Sequence, residues 1–393
     1  NRRAHASFPP FTDSFRSLSA RPASEISRVP MMPLRKKSTT IMITTENTTM
    51  RKPVRSSGTL NAPIYVSLSR NRSHHSEHAM NKNEPMQLLI DAAAQAKRYL
   101  KYGFTTIRDC GSYERVATYV RNMIRMGLCE GPNLIACGNT LANSATDKEG
   151  YLLDGELGFT VGVRKEAAYC ADFIKIYASG SAYNPTGVPL NPIMTREEIR
   201  AAVDTARVNG LYVAAHCHAD KAVRACIECG VRTIEHATYI SDATTDLLLA
   251  TENCYLVPTL ACTDVSQTDP VERKFWLERL TPMRENMCRA IQQAYRAGAM
   301  IGFGTDCAPG QPQYTNGVEF KFRAEDAGMA PIEVLKQATV YNAKIAGVAD
   351  KVGSIKAGLD ADLVLVDGNP DENMDVMYHL PFAVWKAGKC VAQ

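Results

Sequence analysis

Short apolar strand-like runs alternate with helix-like runs from residue 84 onward, and this alternation leaves few folds open. Glu84-Pro85 opens the helical run MQLLIDAAAQAKRYLKY, which Gly103 ends; residues 104–109 then read as a strand. YERVATYVRNMIRMG is the next helix, stopped by Gly127, followed by the apolar stretch 133–136 and the loop CGNTLANSATDKEG. Residues 171–177 read as a strand, and ASGSAYNPTGVPLNP as a long loop. Thr195-Arg-Glu-Glu198 is a capping box that starts a helix running to Gly210. Strands at 211–216, 231–235, 254–258 and 300–305 are separated by helices at 219–229, 241–250 and within 282–297, and 331–345 is a closing helix. Strands that take turns with helices make a parallel sheet with crossover helices. These strands are short and apolar on both faces, as in a barrel buried inside and out. No GxGxxG follows the first strand and no GxxxxGK[ST] occurs, so a (β/α)8 TIM-type barrel is expected rather than a nucleotide-binding doubly wound sheet.

Residues 1–83 differ in kind. They hold 14 Lys/Arg and 4 Asp/Glu, a balance of +10, whereas 84–393 holds 31 and 37, a balance of −6. The formal net charge of +4 therefore belongs to a basic leader, and the folded part carries no nucleic-acid footprint. The leader is rich in Ser, Thr, Arg and Pro with no sustained period, which is expected to leave it disordered or mis-assigned; organelle import is the other reading. ITTENTTM and APIYVSLS are its two candidate short strands, and His74, His75 and His78 its polar histidine cluster. No run approaches the ~18 apolar residues of a membrane span. The twelve cysteines lie irregularly in apolar segments, as reduced core residues of a cytoplasmic protein do, and Cys226-x-x-Cys229 reads as helix packing.

Barrel enzymes carry their reactive side chains at the C-terminal ends of strands. Those positions here are Lys175 in DFIKIY, His216 and His218 in YVAAHCH, His236 in TIEHA and Asp306 in GFGTD. Taken singly each has an ordinary explanation: an ion-paired lysine, a hydrogen-bonded core histidine, an aspartate capping a turn. Four strand ends carrying such groups together point to one site.

The stretches that hold these residues resemble the amidohydrolase superfamily, in the branch of imidazolonepropionase-like hydrolases and Xaa-Pro-type dipeptidases. The likeness lies in AAAQAKRYLKYGFTTIRDCGS, ADFIKIYASG, YVAAHCHADKAVRACIECGVRTIEHATYI, AGAMIGFGTD and VLKQATVYNAKIAGVADKVGSIKAGLDADLVLVDGNP, over about 85–393. It implies a metal-dependent barrel over 84–346 and part of a small β-sandwich accessory domain over 347–393. It implies that Lys175 is carboxylated and bridges two divalent metals, zinc in the first instance. His216 and His236 would ligate the more exposed metal, and Asp306 would bind the other and act as general base. His218 and Tyr177, each two residues beyond a ligand, would face the substrate, with the loops 178–192 and 307–316 shaping its pocket. The implied reaction is hydrolysis of a C–N bond in a dipeptide, an N-acyl amino acid or a related cyclic amide. The implied partner is thus a small molecule, with no nucleic acid and no membrane, and homo-oligomerisation is left open.

One departure stands out. Members of the family carry His-x-His at the end of the first barrel strand, and 38–58 contains no histidine. The first strand is not recognisable, nor are the N-terminal strands that complete the accessory domain. Three readings follow: a missing N-terminal exon, a variant that binds one metal or recruits His74, His75 or His78, and a non-catalytic relative. A deaminase is a further alternative, disfavoured by Lys175.

Overall fold

The computed structural model describes residues 58–59, 63–66, 85–146, 151–181, 191–266, 270–306 and 317–393. All lie within one compact unit, 38–393. His74, His75, His78 and most of the two pocket loops (182–190 and 307–316) fall outside the described residues.

In chain order the elements begin with β1 (Gly58–Thr59), β2 (Pro63–Val66), α1 (Pro85–Lys101), β3 (Thr106–Asp109), α2 (Val116–Arg125) and β4 (Asn133–Ala136). Then come β5 (Leu141–Ala142), β6 (Tyr151–Leu152), α3 (Gly155–Ala168), β7 (Ile174–Tyr177), α4 (Arg196–Val208), β8 (Val213–Cys217), α5 (Asp220–Cys229) and β9 (Thr233–His236). The rest are α6 (Asp242–Leu249), β10 (Tyr255–Val257), α7 (Pro270–Arg296), α8 (Val318–Glu325), α9 (Pro331–Lys336), α10 (Asn342–Ala346), β11 (Leu363–Val366), β12 (Ala383–Lys386) and β13 (Lys389–Ala392).

The parallel pairings run β2-β3-β4 in one sheet and β7-β8-β9-β10 in another. Asp172 N donates to Ala136 O at 2.8 Å and ties the approach of β7 to the end of β4. A parallel bridge joins Leu256 to Ile301, supported by Gly302 N donating to Leu256 O at 2.7 Å. Among the described residues β2, β3, β4, β7, β8, β9, β10 and the stretch around Ile301 thus follow one another in sequence order, as in the expected barrel, with the two-residue strands β5 and β6 also joined in parallel beside β7. Strand β2 lies in the segment read from composition as a leader, and pairs in register from Pro63 opposite Thr106 to Val66 opposite Asp109.

Side-chain alternation divides each strand between two cores. On β7, Ile174 and Ile176 belong to the layer beneath the helices, while Phe173 just before the strand belongs to a smaller inner cluster with Ala214, Tyr255 and Val257. The inner space also holds charge. Arg108 Nη2 donates to both Glu235 carboxylate oxygens at 2.9 and 3.1 Å, and its Nη1 donates to Thr233 Oγ1 at 2.9 Å.

Local sequence explains the helices. Helix α1 buries Ala92, Ala96, Tyr99 and Leu100 on one stripe, at helical spacing. The capping box forms as read: Glu198 N donates to Thr195 Oγ1 at 3.2 Å and Thr195 N to Glu198 Oε2 at 2.9 Å. The same carboxylate accepts from Gly155 N at 2.9 Å and so holds the start of α3. Helix α5 stops at Gly230, whose φ of 88° a Cβ would strain. Two differences from the sequence reading have plain causes. Helix α7 begins at Pro270 and carries Pro282 inside it, because Leu280, Met283 and Met287 stay buried across the proline. Helix α3 escapes pattern reading because Phe159 and Val163 are buried while Leu157 and Val161 are exposed.

At the C-terminal end, β11, β12 and β13 form an antiparallel sheet with β1 at its other edge. Among the described residues this sheet is a single layer, so the second layer of the expected sandwich is not seen there. An N-terminal strand does join it: Gly58 and Thr59 pair with Val366 and Leu365.

The cysteines among the described residues are all free thiols, and most are buried. Burial pushes Cys110 and Cys254 up to about 12 and Cys288 to about 11. A thiol whose pKa is higher folded than unfolded gives its full stabilisation below the unfolded value, and that stabilisation is lost as pH rises toward the folded one. The unfolding free energy is therefore expected to fall steadily above about pH 9, by up to ~1.4 kcal/mol per group per pH unit, and the denaturation midpoint with it. Denaturant titrations at successive alkaline pH values check this; an unchanged midpoint would contradict it.

Candidate active site

Because the barrel strands are parallel, their C-terminal ends gather at one end of the fold. The sequence-predicted residues arrive there by alternation, with one exception. Tyr177 on β7 sits opposite His216 on β8, and their rings lie 4.5 Å apart. Lys175, two residues earlier on the same face, is 2% exposed. His218 follows His216 by two, with ring centroids 4.7 Å apart and nearly perpendicular.

The exception is His236. The register puts Glu235 beside His216 and His236 beside Cys217. Strict alternation would therefore send His236 outward, toward the helices. Instead φ is 72° at His236 and 48° at Ala237, and this left-handed turn brings the ring back over the strand ends. It comes to 4.6 Å from His216 and stacks on His218 at 4.7 Å. Asp306 has φ 50° at the end of its own segment. Such conformations cost roughly 1–3 kcal/mol each for residues other than glycine, and they cluster where geometry serves function.

Each imidazole is anchored through one nitrogen. His216 Nε2 lies 2.9 Å from Gly180 O. A carbonyl only accepts, so Nε2 carries the proton and Nδ1 the lone pair. His218 Nδ1 contacts Thr238 Oγ1 and His236 Nδ1 contacts Thr259 Oγ1, each at 2.7 Å. Hydrogen bonding of the second ring nitrogen is how metal-binding histidines are held in orientation.

Two sets of donor atoms result. Among the described residues, His216, His218 and His236 form one, and His236, Cys262 and Asp306 the other; within each set the ligand atoms lie no more than 4.8 Å apart and every residue is buried. Neutral imidazole, carboxylate and thiol donors suit a borderline divalent ion such as zinc. The donor set therefore fits the metal that the sequence resemblance implies.

Behind the second set stands a buried ionic brace. Arg323 Nε donates to Glu319 Oε1 at 2.8 Å, while its Nη atoms reach Gly302 O at 2.9 Å, Pro258 O at 2.6 Å and Gln337 Oε1 at 2.5 Å. Glu319 Oε2 in turn accepts from Ala261 N at 2.6 Å. One arginine thus fixes the chain on either side of Thr259 and the segment that ends in Asp306.

Lys175, Tyr177, His216, His218, His236 and Asp306 are all placed on these strands or just beyond their C-terminal ends. Sequence reading missed Cys262, Thr238 and Thr259. Both threonines lie within two residues of a strand's end, and a hydroxyl there was the available signal.

The chain matches the amidohydrolase family over residues 67–392. It is 28% identical to the ochratoxinase of Aspergillus niger across 324 residues, 74% of this chain and 66% of that protein, just under two thirds of its length. It is 26% identical to the imidazolonepropionase of an Anaeromyxobacter species, over 78% of this chain and 69% of that one. Among solved structures, a Xaa-Pro dipeptidase with methionine in its active site superposes with a TM-score of 0.75 at 27% identity, covering 86% of this chain and 87% of that one. A prolidase complexed with N-methylphosphonate-L-proline gives a TM-score of 0.75 at 26% identity, covering 90% and 92%.

Proposed function

The chain belongs to the amidohydrolase family, and from that premise we propose that it is a metal-dependent hydrolase of a C–N bond in a small amide, a dipeptide or an N-acyl amino acid. The observation that carries this reading is the convergence of His216, His218, His236 and Asp306, all buried, at one end of the parallel strands. The names of the relatives support the substrate class: an ochratoxinase, a Xaa-Pro dipeptidase and a prolidase.

His216 would offer Nδ1 to a divalent cation, because its Nε2 donates to Gly180 O. His236, Asp306 and Lys175, the last as its carbamate, would also contribute ligands. When bound, the cation acts as a Lewis acid toward the scissile carbonyl and the attacking water. Asp306 accepts the proton that this water loses as its oxygen bonds to the carbonyl carbon. The carboxyl group then gives that proton to the nitrogen as the C–N bond breaks, leaving an acid and an amine. Tyr177 and His218 line the substrate side, and the packed strand ends exclude bulk water.

Chelation followed by dialysis is expected to abolish turnover of N-acyl amino acids and dipeptides, and zinc to restore it. It is also expected to lower thermal stability, by about 2.7 kcal/mol relative to the protein at a hundredfold excess of metal over Kd. A second reading, a non-catalytic relative, is favoured by the lack of any His-x-His pair before His216. It predicts no turnover of any amide with metal restored, and that outcome would displace the hydrolase reading.

A further inference from the structure

We propose that Cys262 is a metal ligand, its thiolate completing a nitrogen–sulfur–oxygen set with His236 and Asp306. This deepens the hydrolase reading and rests on it, because the ion concerned is the one that His236 and Asp306 hold there.

The placement is specific. After β10 the chain enters a short 3-10 turn, Leu260–Thr263, which packs against α7 and α8 and carries Cys262. There its sulfur, a ring nitrogen of His236 and a carboxylate oxygen of Asp306 lie within 4.8 Å of one another, and the residue is 4% exposed. Tetrahedral ligands at about 2.0–2.3 Å from a metal stand roughly 3.3–3.8 Å apart. Modest side-chain rotations therefore close the set.

Thr259 couples two of its members. The Oγ1 atom lies 2.7 Å from His236 Nδ1 and 3.5 Å from Cys262 Sγ, so one hydroxyl orients both. The thiol donates to Thr259 O at 3.0 Å. Binding replaces that S–H bond with an S–metal bond, and the proton leaves to solvent, as it does whenever a thiol ligates. The brace through Arg323 and Glu319 grips Pro258 O and Ala261 N, fixing the turn on both sides of Thr259. A cysteine serving only as core filler needs neither neighbouring donor. A soft sulfur in the set favours zinc, cadmium and cobalt over magnesium or manganese, so the chain should discriminate between ions in a way that an all-nitrogen-and-oxygen site would not.

The test loads the full chain with Co2+ and records its near-ultraviolet spectrum, then repeats this with Cys262→Ser and Cys262→Ala. A thiolate-to-cobalt charge-transfer band is expected in the wild type and absent from both variants. Cd2+ retention is expected to fall about tenfold or more in Cys262→Ser, with Mn2+ retention unchanged. Bound cobalt without the band, or a band that survives in Cys262→Ser, overturns the assignment of Cys262 and leaves the hydrolase reading intact. A wild-type chain that retains no cobalt or cadmium overturns both. Should the variants fail to fold, X-ray absorption on the zinc-loaded wild type decides. A sulfur scatterer at about 2.3 Å is expected, and a shell of nitrogen and oxygen alone rejects the proposal.

Discussion

Replacing Lys175 with alanine is expected to cut kcat/KM by about 10³-fold or more, equivalent to ~4 kcal/mol of transition-state stabilisation, and to strip most of the bound metal. A free ammonium cannot ligate a cation, so a role for Lys175 in the site requires its carbamate. The residue is well placed for that role. It lies two residues before Tyr177 on the inner face of β7, 2% exposed, one strand away from His216. Loss of the proposed carbamate would remove two donor oxygens at once. Wild-type protein held in CO2-free buffer should therefore lose metal slowly and regain it with bicarbonate, while Lys175→Ala should not respond. Steady-state kinetics and metal analysis on the two proteins check the expectation. Equal turnover and equal metal content in the variant would remove Lys175 from the site.

The largest effect on stability is expected at Arg323. Its guanidinium is fully buried and bonds to Glu319, Gln337 and two main-chain carbonyls. Burial pushes the Glu319 carboxyl above its ordinary range and the Arg323 guanidinium below its own, against the pull of each on the other. The pair therefore has little net stability to spare, yet breaking it on one side strands a buried carboxylate. Arg323→Met is expected to lower unfolding free energy by about 3–5 kcal/mol. The double change Arg323→Met with Glu319→Leu is expected to recover a substantial part of that loss, since no charge is then left alone. Denaturant unfolding of the three proteins tests both points. A double variant no better than the single one would show that the main-chain contacts of Arg323, rather than its charge partner, dominate. Activity should fall even where the variant stays folded, because Gly302 and Pro258 lose their anchor.

The sequence makes the alternation of strands and helices readable because each strand is short, apolar and bounded by glycine or a helix cap. His216 and Asp306 follow from that pattern alone: each sits where an apolar run ends. His236 is different. Its place at a strand end is legible, but the period of two points it the wrong way, and only the left-handed turn at 236–237 returns it to the site. No composition or spacing announces such a turn in a Glu-His-Ala sequence. Cys262 was hidden for another reason: one cysteine among twelve carries no spacing signal, and its partners lie 26 residues before it and 44 after. The first barrel strand was obscured by its neighbours. Pro63–Val66 is only four residues long and lies in a basic, Ser/Thr-rich stretch, yet it pairs in full register with Thr106–Asp109.

The pairing of Gly58–Thr59 with Leu363–Val366 also sets a timetable for the ribosome. About 300 residues separate the two strands, so the earlier one leaves the exit tunnel with no partner yet made. At ~5–20 residues per second that wait lasts roughly 15–60 s. Throughout it, a bare strand edge stands available to other nascent chains. Chaperone demand during synthesis is therefore expected to fall when this late-closing seam is shortened in sequence, for example by circular permutation that brings the two strands together.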